Sequence, residues 1–382
     1  MRTLLVTGPG GAGTSTLAAA AAVRCARAGR RTQLVTRQAP PVPGLAEVAG
    51  LGVQQVGGRR AVETFWAAQA EALGGVLPHL PLPPESSVVP LPGAEELALL
   101  GAVAGADADV VVVDAGPLRD GLAFAALPGA LRWWLDQALP PSVRALAAVR
   151  TATVSAGAAR RGPVDTVLAA LPAVERLLGH DRLADPAGTA VWLTAGPRAD
   201  AVPALRRAAT ALGLHGLRPA AVLARGLPPR GTGEWWERRA AEHEAAVTAL
   251  GAVAPVHPVA ELAGAPADPA EALALLDGIQ LPAAGGPPPP APRRCDGGWQ
   301  LAVPLPFAER TDVGLTRWGD DLVVGVGEDR RSLRLDSLLR RCEVTGGRLA
   351  DAGTADARLE VSFRPDPQLW PADLLKAEER TS

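Results

Sequence analysis

The stretch Thr3-Leu4-Leu5-Val6-Thr7-Gly8-Pro9-Gly10-Gly11-Ala12-Gly13-Thr14-Ser15-Thr16 decides the fold. Thr3–Thr7 reads as a buried strand. It runs straight into glycines, and the alanine-rich segment Thr14–Ala28 that follows reads as a helix. A strand, a glycine loop and a helix N-terminus make an anion site, because free backbone N–H groups and the helix dipole point to one place. Gly8, Gly10, Gly11, Ala12 and Gly13 would let the loop wrap a phosphate. Ser15 or Thr16 would offer a hydroxyl to magnesium. Such a loop calls for a lysine after its last glycine, reaching the β- and γ-phosphates. Thr14 stands there instead. The 382-residue chain has one lysine, Lys376, and no asparagine.

Working outward, strand-like runs at Thr32–Thr36, Val110–Val113, Ala190–Thr194 and Ala220–Ala224 lack strict alternation, as strands covered on both faces do. Helical patterns at Ala61–Leu73, Ala94–Val103, Asp165–Leu178, Ala201–Leu212 and Glu234–Leu250 lie between them. This alternation predicts an α/β fold, a parallel sheet with helices on both faces, over residues 1–280. Residues 129–188 show no strand and are expected to be a helical insertion. The Pro/Gly-rich stretch 281–298 reads as an extended linker. Beyond it, Trp299–Pro304, Thr311–Arg317, Asp321–Val326, Ser332–Leu335 and Ala357–Phe363 are short and strand-like. Turns at Gly319-Asp320-Asp321 and Gly346-Gly347 separate them. Residues 299–365 are therefore expected to form a small antiparallel β-sandwich, followed by a tail over 366–382.

A net charge of −2 gives no basic face for nucleic acid. No apolar run is long enough to span a membrane, and no secretory signal is visible. Cys25, Cys295 and Cys342 are widely spaced and form no C-x-x-C, so a reduced cytoplasmic protein is expected. The histidines (His79, His180, His215, His243, His257) are isolated, so no metal site is expected.

Val110-Val111-Val112-Val113-Asp114 is an apolar strand ending in a carboxylate, the arrangement that supports magnesium beside a phosphate loop. With this pair of features the chain resembles the ATPase family of the arsenical-pump ATPase (ArsA) and the tail-anchored-protein targeting ATPase. That family's loop reads G-K-G-G-x-G-K-[ST]-[ST]. Gly8, Gly10, Gly11, Gly13, Ser15 and Thr16 match in place, and Pro9 and Thr14 stand where its two lysines belong. Its switch II begins D-T-A-P, and Asp114-Ala115-Gly116-Pro117 keeps Asp114 and Pro117, with Leu127-Pro128 following. Its switch I carboxylate falls at Arg37, and an adenine-reading asparagine at Ala224. Leu183–Thr189 and Val222–Arg225 are similar to family segments. Leu301–Pro306 and Arg330–Leu335 look like the small heat-shock (alpha-crystallin-like) domain appended to some bacterial members.

The resemblance implies a P-loop NTPase fold with Gly8–Thr16 as the nucleotide-binding loop and Asp114 as a Walker B remnant. ATP or ADP with magnesium is the implied cofactor. A homodimer, or a heterodimer with an active paralogue, is the implied assembly. Each missing charged contact is worth about 3 kcal/mol of transition-state stabilisation. Losing three predicts a pseudo-ATPase acting as a regulatory or structural subunit. A weak ATPase, with cations supplied by Arg37, Arg119 or a partner chain, is the enzyme alternative. A chaperone-like client-binding protein is the third. Leu127, Leu131, Trp134 and Leu135 share a helical face. With Trp133, the set Leu131, Trp133, Trp134 and Leu135 is the candidate surface for a hydrophobic protein client, as in related targeting ATPases. Ordinary helix packing is the competing reading.

Overall fold

The computed structural model describes residues 2–64, 66, 67, 83–90, 92–155, 175, 178, 179, 182–228, 231–283, 288–295 and 297–370. The end of the expected helix Ala61–Leu73, all of the expected helix Asp165–Leu178 except residues 175 and 178, His79, His180 and the tail beyond residue 370 with Lys376 lie outside them.

Seven parallel strands form the main sheet: β1 (Thr3–Gly8), β2 (Thr32–Thr36), β3 (Leu51–Gln55), β4 (Val110–Pro117), β5 (Thr189–Ala195), β6 (Pro219–Arg225) and β7 (Val256–Val259). Their spatial order is β3-β2-β4-β1-β5-β6-β7. The order runs outward in both directions from β1, so the loop after β1 leaves from the middle of the sheet. Every residue of β1 is buried. Alternate side chains feed opposite layers. Leu4, Val6, Val110, Val112 and Trp192 join one apolar cluster, and Leu5, Val111, Val113, Val191 and Leu193 join the other. Each fully buried Val or Leu contributes about 1.5–3 kcal/mol, which is why these strands read as continuous apolar runs.

Helix α1 (Thr14–Arg27) covers the first face with α7 (Pro269–Ala274). Ala18–Val23 are fully buried, and their small side chains let the helix lie close on the sheet. The second face carries α2 (Ala94–Ala104), α3 (Leu118–Ala138), α5 (Ala201–Leu214) and α6 (Glu234–Leu250). Between α3 and α5 runs α4 (Pro141–Ser155). No helix among the described residues is long and apolar enough to cross a membrane.

The C-terminal part pairs a four-stranded antiparallel sheet with a three-stranded one. The first has the order β13 (Cys342–Ala350), β14 (Arg358–Pro365), β9 (Gly298–Pro304), β8 (Pro292–Cys295). The second is β10 (Val313–Trp318), β11 (Asp321–Val326), β12 (Asp329–Arg334). Leu301, Val303, Leu322, Val324, Val361 and Phe363 fill the space between them. The fold is thus α/β with an added antiparallel sandwich, as the sequence indicates. Gly346-Gly347, expected as a turn, lies inside β13, where the pairing with β14 shifts register between Val344 and Gly346. A bulge of this kind keeps the strand going while bending it.

The sandwich sits on α5 and α3. Leu214, at the end of α5, is fully buried in the sandwich core. Arg331 Nη1 of β12 donates to the Leu214 carbonyl at 2.7 Å. Arg206 of α5 stacks its guanidinium over the Phe307 ring, 5.3 Å from the centroid. Arg334 of β12 pairs with Asp136 of α3 at 3.9 Å.

Candidate functional site

Ligands of open parallel sheets gather at the carboxyl ends of the strands. Here β1, β2, β4, β5 and β6 deliver Gly8, Thr36, Asp114, Thr194 and Arg225 to that edge. The loop after β1 turns through Gly11 and Gly13, with φ of 77° and 82°, a region that residues with a Cβ rarely enter. The Ala12 N–H donates to the Pro9 carbonyl at 3.1 Å. Gly8 packs against β5. A Cβ there would lie 1.9 Å from Thr194 Oγ1 and 2.5 Å from the Thr194 carbonyl.

Thr14, at the lysine position, is 9% exposed. Its Oγ1 hydrogen-bonds Thr194 Oγ1 at 2.8 Å. A neutral pair of hydroxyls, one from the start of α1 and one from β5, stands at the lysine position. Each satisfies the other, so neither is left as a costly unpaired buried group.

Asp114 is 3% exposed and sits within β4, in register with Val6 and Thr36. Its Oδ2 accepts from Thr36 Oγ1 at 3.0 Å and its Oδ1 from the Gly116 N–H at 3.2 Å. Pro117 ends β4 and is the N-cap residue of α3. Thr7 Oγ1 donates to the Gly116 carbonyl at 2.9 Å, tying the start of this turn to β1. Ser15 Oγ accepts from Gln38 Nε2 at 3.4 Å.

The cations proposed from sequence as substitutes are placed elsewhere. Arg37 lies against α2 and α3, its Nη1 3.2 Å from Glu96 Oε1 and 3.6 Å from Asp120 Oδ2. Its Nε and Nη2 are buried with no acceptor among the described residues. Arg119 is exposed on α3. The guanidinium that does touch the loop is Arg225, whose Nη1 donates to the Gly11 carbonyl at 3.0 Å. Glu261 Oε2 lies 2.9 Å from its Nε. In the sequence Arg225 stands out only as the end of the family-like segment Val222–Arg225, with no role attached. The available signal was its place, the last residue of a strand whose carboxyl end faces the site.

Two cavities flank the loop, and Arg225 and Glu261 line both. One, of about 360 Å³, lies between loop residues 9–12 and the ends of β5 and β6. The other, about 140 Å³, is walled by apolar groups such as Leu17, Val259, Leu262 and Leu275.

The loop backbone fits a phosphate group. The N–H groups of Gly10, Gly11 and Gly13 have no acceptor among the described residues, as an anion cradle requires. The charged groups that drive phosphoryl transfer are replaced by Pro9, Thr14 and Arg37. Cys25 offers no nucleophile: it is fully buried on α1, and burial pushes its thiol up to about 11.

The proposed client surface is split. Leu127 and Leu131 pack on the second core cluster. Trp133 and Leu135 are half-buried, while Trp134 is 64% exposed and meets Trp133 edge-on at 4.9 Å. Residues on one helical face are thus divided between core and surface, because α3 outruns the sheet that covers its first half. Nearby α4 exposes Val143, Leu146 and Val149, at intervals of three residues.

Residues 296–363 match a family model described as the HSP20-like domain found in ArsA. Two relatives align along almost the whole chain. "Uncharacterized protein SCO2128" of Streptomyces coelicolor is 36% identical over 403 aligned positions, covering 97% of this chain and 99% of the relative. "Protein Rv2184c" of Mycobacterium tuberculosis is 30% identical over 427 positions, covering 97% of each.

Proposed function

The chain belongs to the ArsA-like family with a C-terminal HSP20-like domain, and from that premise we propose that it is a pseudo-ATPase. It serves as a regulatory or structural subunit, dimerised with itself or with a lysine-bearing relative. The observation that carries this reading is the Thr14–Thr194 hydroxyl pair at 2.8 Å, in the place of the loop lysine. A lysine ammonium there offsets γ-phosphate charge, and a threonine hydroxyl cannot. Arg37 adds to the loss, since a cation bound to Glu96 cannot position an attacking water as a carboxylate does. The preserved backbone of the loop supports retention of the shape for binding or assembly. Mixing this chain with a lysine-bearing ArsA-family ATPase from the same cells tests the subunit role. The mixture is expected to hydrolyse ATP at a rate at least twofold different from that of the relative alone. Identical rates at saturating ratios would sink that role.

A second reading, client binding, is favoured by the exposed Trp134 of α3 and the exposed Val143, Leu146 and Val149 of α4. Exposed apolar patches of this kind mark interaction surfaces. The protein is then expected to suppress aggregation of an unfolding model protein, and Trp134→Ala to cut that suppression by half or more. Full suppression by the variant removes Trp134 from the argument.

A further inference from the structure

Beside the loop, the 360 Å³ cavity gathers three arginines from three separate elements. Arg198 comes from the segment between β5 and α5, Arg225 from the end of β6, and Arg239 from α6. Two carboxylates, Asp200 and Glu261, also line it.

The guanidiniums are held in place while part of their donor capacity stays unused. Arg225 is fixed by the Gly11 carbonyl and by Glu261. Its Nη2 lies on the Gly196 side of the cavity, 3.5 Å from where a Cβ of Gly196 would stand. Arg239 is largely buried and donates through Nη2 to the Pro197 carbonyl at 2.9 Å. Its Nη1 is buried with no hydrogen-bond acceptor among the described residues, and Glu242 Oε2 is 3.5 Å away. Arg198 is exposed, with no side-chain partner among the described residues. From the loop side, Gly10 and Gly11 line the same cavity with N–H groups that have no acceptor among the described residues.

A buried, positioned and unsatisfied donor is costly unless something accepts from it. The planar fork of arginine matches phosphate oxygens, and charge-assisted bonds of this type are among the strongest available. We propose that this cavity binds a small phosphorylated ligand carrying a diphosphate or an equivalent pair of anionic groups, held by Arg198, Arg225 and Arg239 together with the loop backbone. The proposal rests on the reading that the loop has lost its own cation: phosphate recognition has moved from a lysine within the loop to arginines beside it. No metal is needed, because the neutralising charge comes from the guanidiniums.

Inorganic pyrophosphate, titrated calorimetrically into the full chain in EDTA at about 0.15 M salt, is the test. The wild-type protein is expected to bind it. Arg198→Gln and Arg225→Gln are each expected to weaken the dissociation constant by about tenfold. Arg207→Gln, which removes an exposed charge of α5 outside the cavity, is expected to change it less than twofold. Arg198 makes no described side-chain contact, so its variant tests the site even if Arg225→Gln disturbs the loop; melting curves identify that disturbance. The proposal is overturned if folded wild-type protein does not bind pyrophosphate. It is also overturned if binding requires magnesium, or if Arg198→Gln binds as tightly as wild type. ATP turnover is a separate readout. Turnover would refute the pseudo-ATPase reading whatever the calorimetry shows, and absent binding with no turnover would refute only this site.

Discussion

Gly8→Ala is expected to lower the stability of the protein by about 3 kcal/mol, the upper end of what overpacking a core costs. The added methyl would stand 1.9 Å from Thr194 Oγ1 and 2.5 Å from the Thr194 carbonyl. Thr194 has little room to retreat, because it is fully buried in β5 and its hydroxyl is bound to Thr14. The strand pair β1–β5 must open, or the hydroxyl pair must break. Gly10→Ala is the matched control: a Cβ there meets nothing within 4 Å, so its effect is expected to stay within about 0.5 kcal/mol. Thermal melting of the two variants against wild type checks this. Equal melting of Gly8→Ala and wild type would show that the base of the loop is not locked to β5.

Acidification is expected to loosen the junction between the two parts of the chain. His215 follows α5, directly after Leu214, whose carbonyl accepts from Arg331 of the sandwich. Burial first, and then the Arg331 guanidinium, push His215 down from 6.5 to about 4. An unfolded chain would take up this proton near 6.5. Between pH 6.5 and 4 the unfolded state therefore holds more protons than the folded one, and stability falls as pH falls. The stabilisation is complete above pH 6.5. At about 1.4 kcal/mol per unit, the loss is on the order of 3 kcal/mol by pH 4. Carboxylates also titrate at the acid end, so the comparison is with His215→Gln. That variant is expected to show a flatter fall in melting temperature across this window. Parallel profiles for the two proteins would mean that His215 is not held neutral at the junction.

The central strands were legible because they are buried on both faces. Thr3–Thr7, Val110–Val113 and Ala190–Thr194 read as uninterrupted apolar runs and lie next to one another in the sheet. Three of the edge strands were not. β3 (Leu51–Gln55) ends in two exposed glutamines. β7 contains Pro258 and β8 begins with Pro292, and proline is tolerated only where a strand has no neighbour needing its N–H. Both lie at sheet edges. At the site, the loop glycines and the missing lysines are local in sequence and could be read directly. The partner of Thr14 could not, since Thr194 is 180 residues away, nor could Arg225, 214 residues from the carbonyl it holds. Both depend on the order of strands on that side of β1, with β5 beside it and β6 next after β5. The burial of the expected client face was not legible either, for a related reason. Helical periodicity places Leu131 and Trp134 together, but it does not tell where the covering sheet ends.

On the proposed reading the loop keeps the geometry of a nucleotide site without its chemistry. Phosphate release from ATP with magnesium, measured on homogeneous wild-type protein beside Thr14→Ala, tests it most directly. With no lysine in the loop and Thr14 already paired to Thr194, the two proteins are expected to release phosphate at the same rate as a protein-free control. Magnesium-dependent release by wild type, tenfold or more above Thr14→Ala, would contradict the claim.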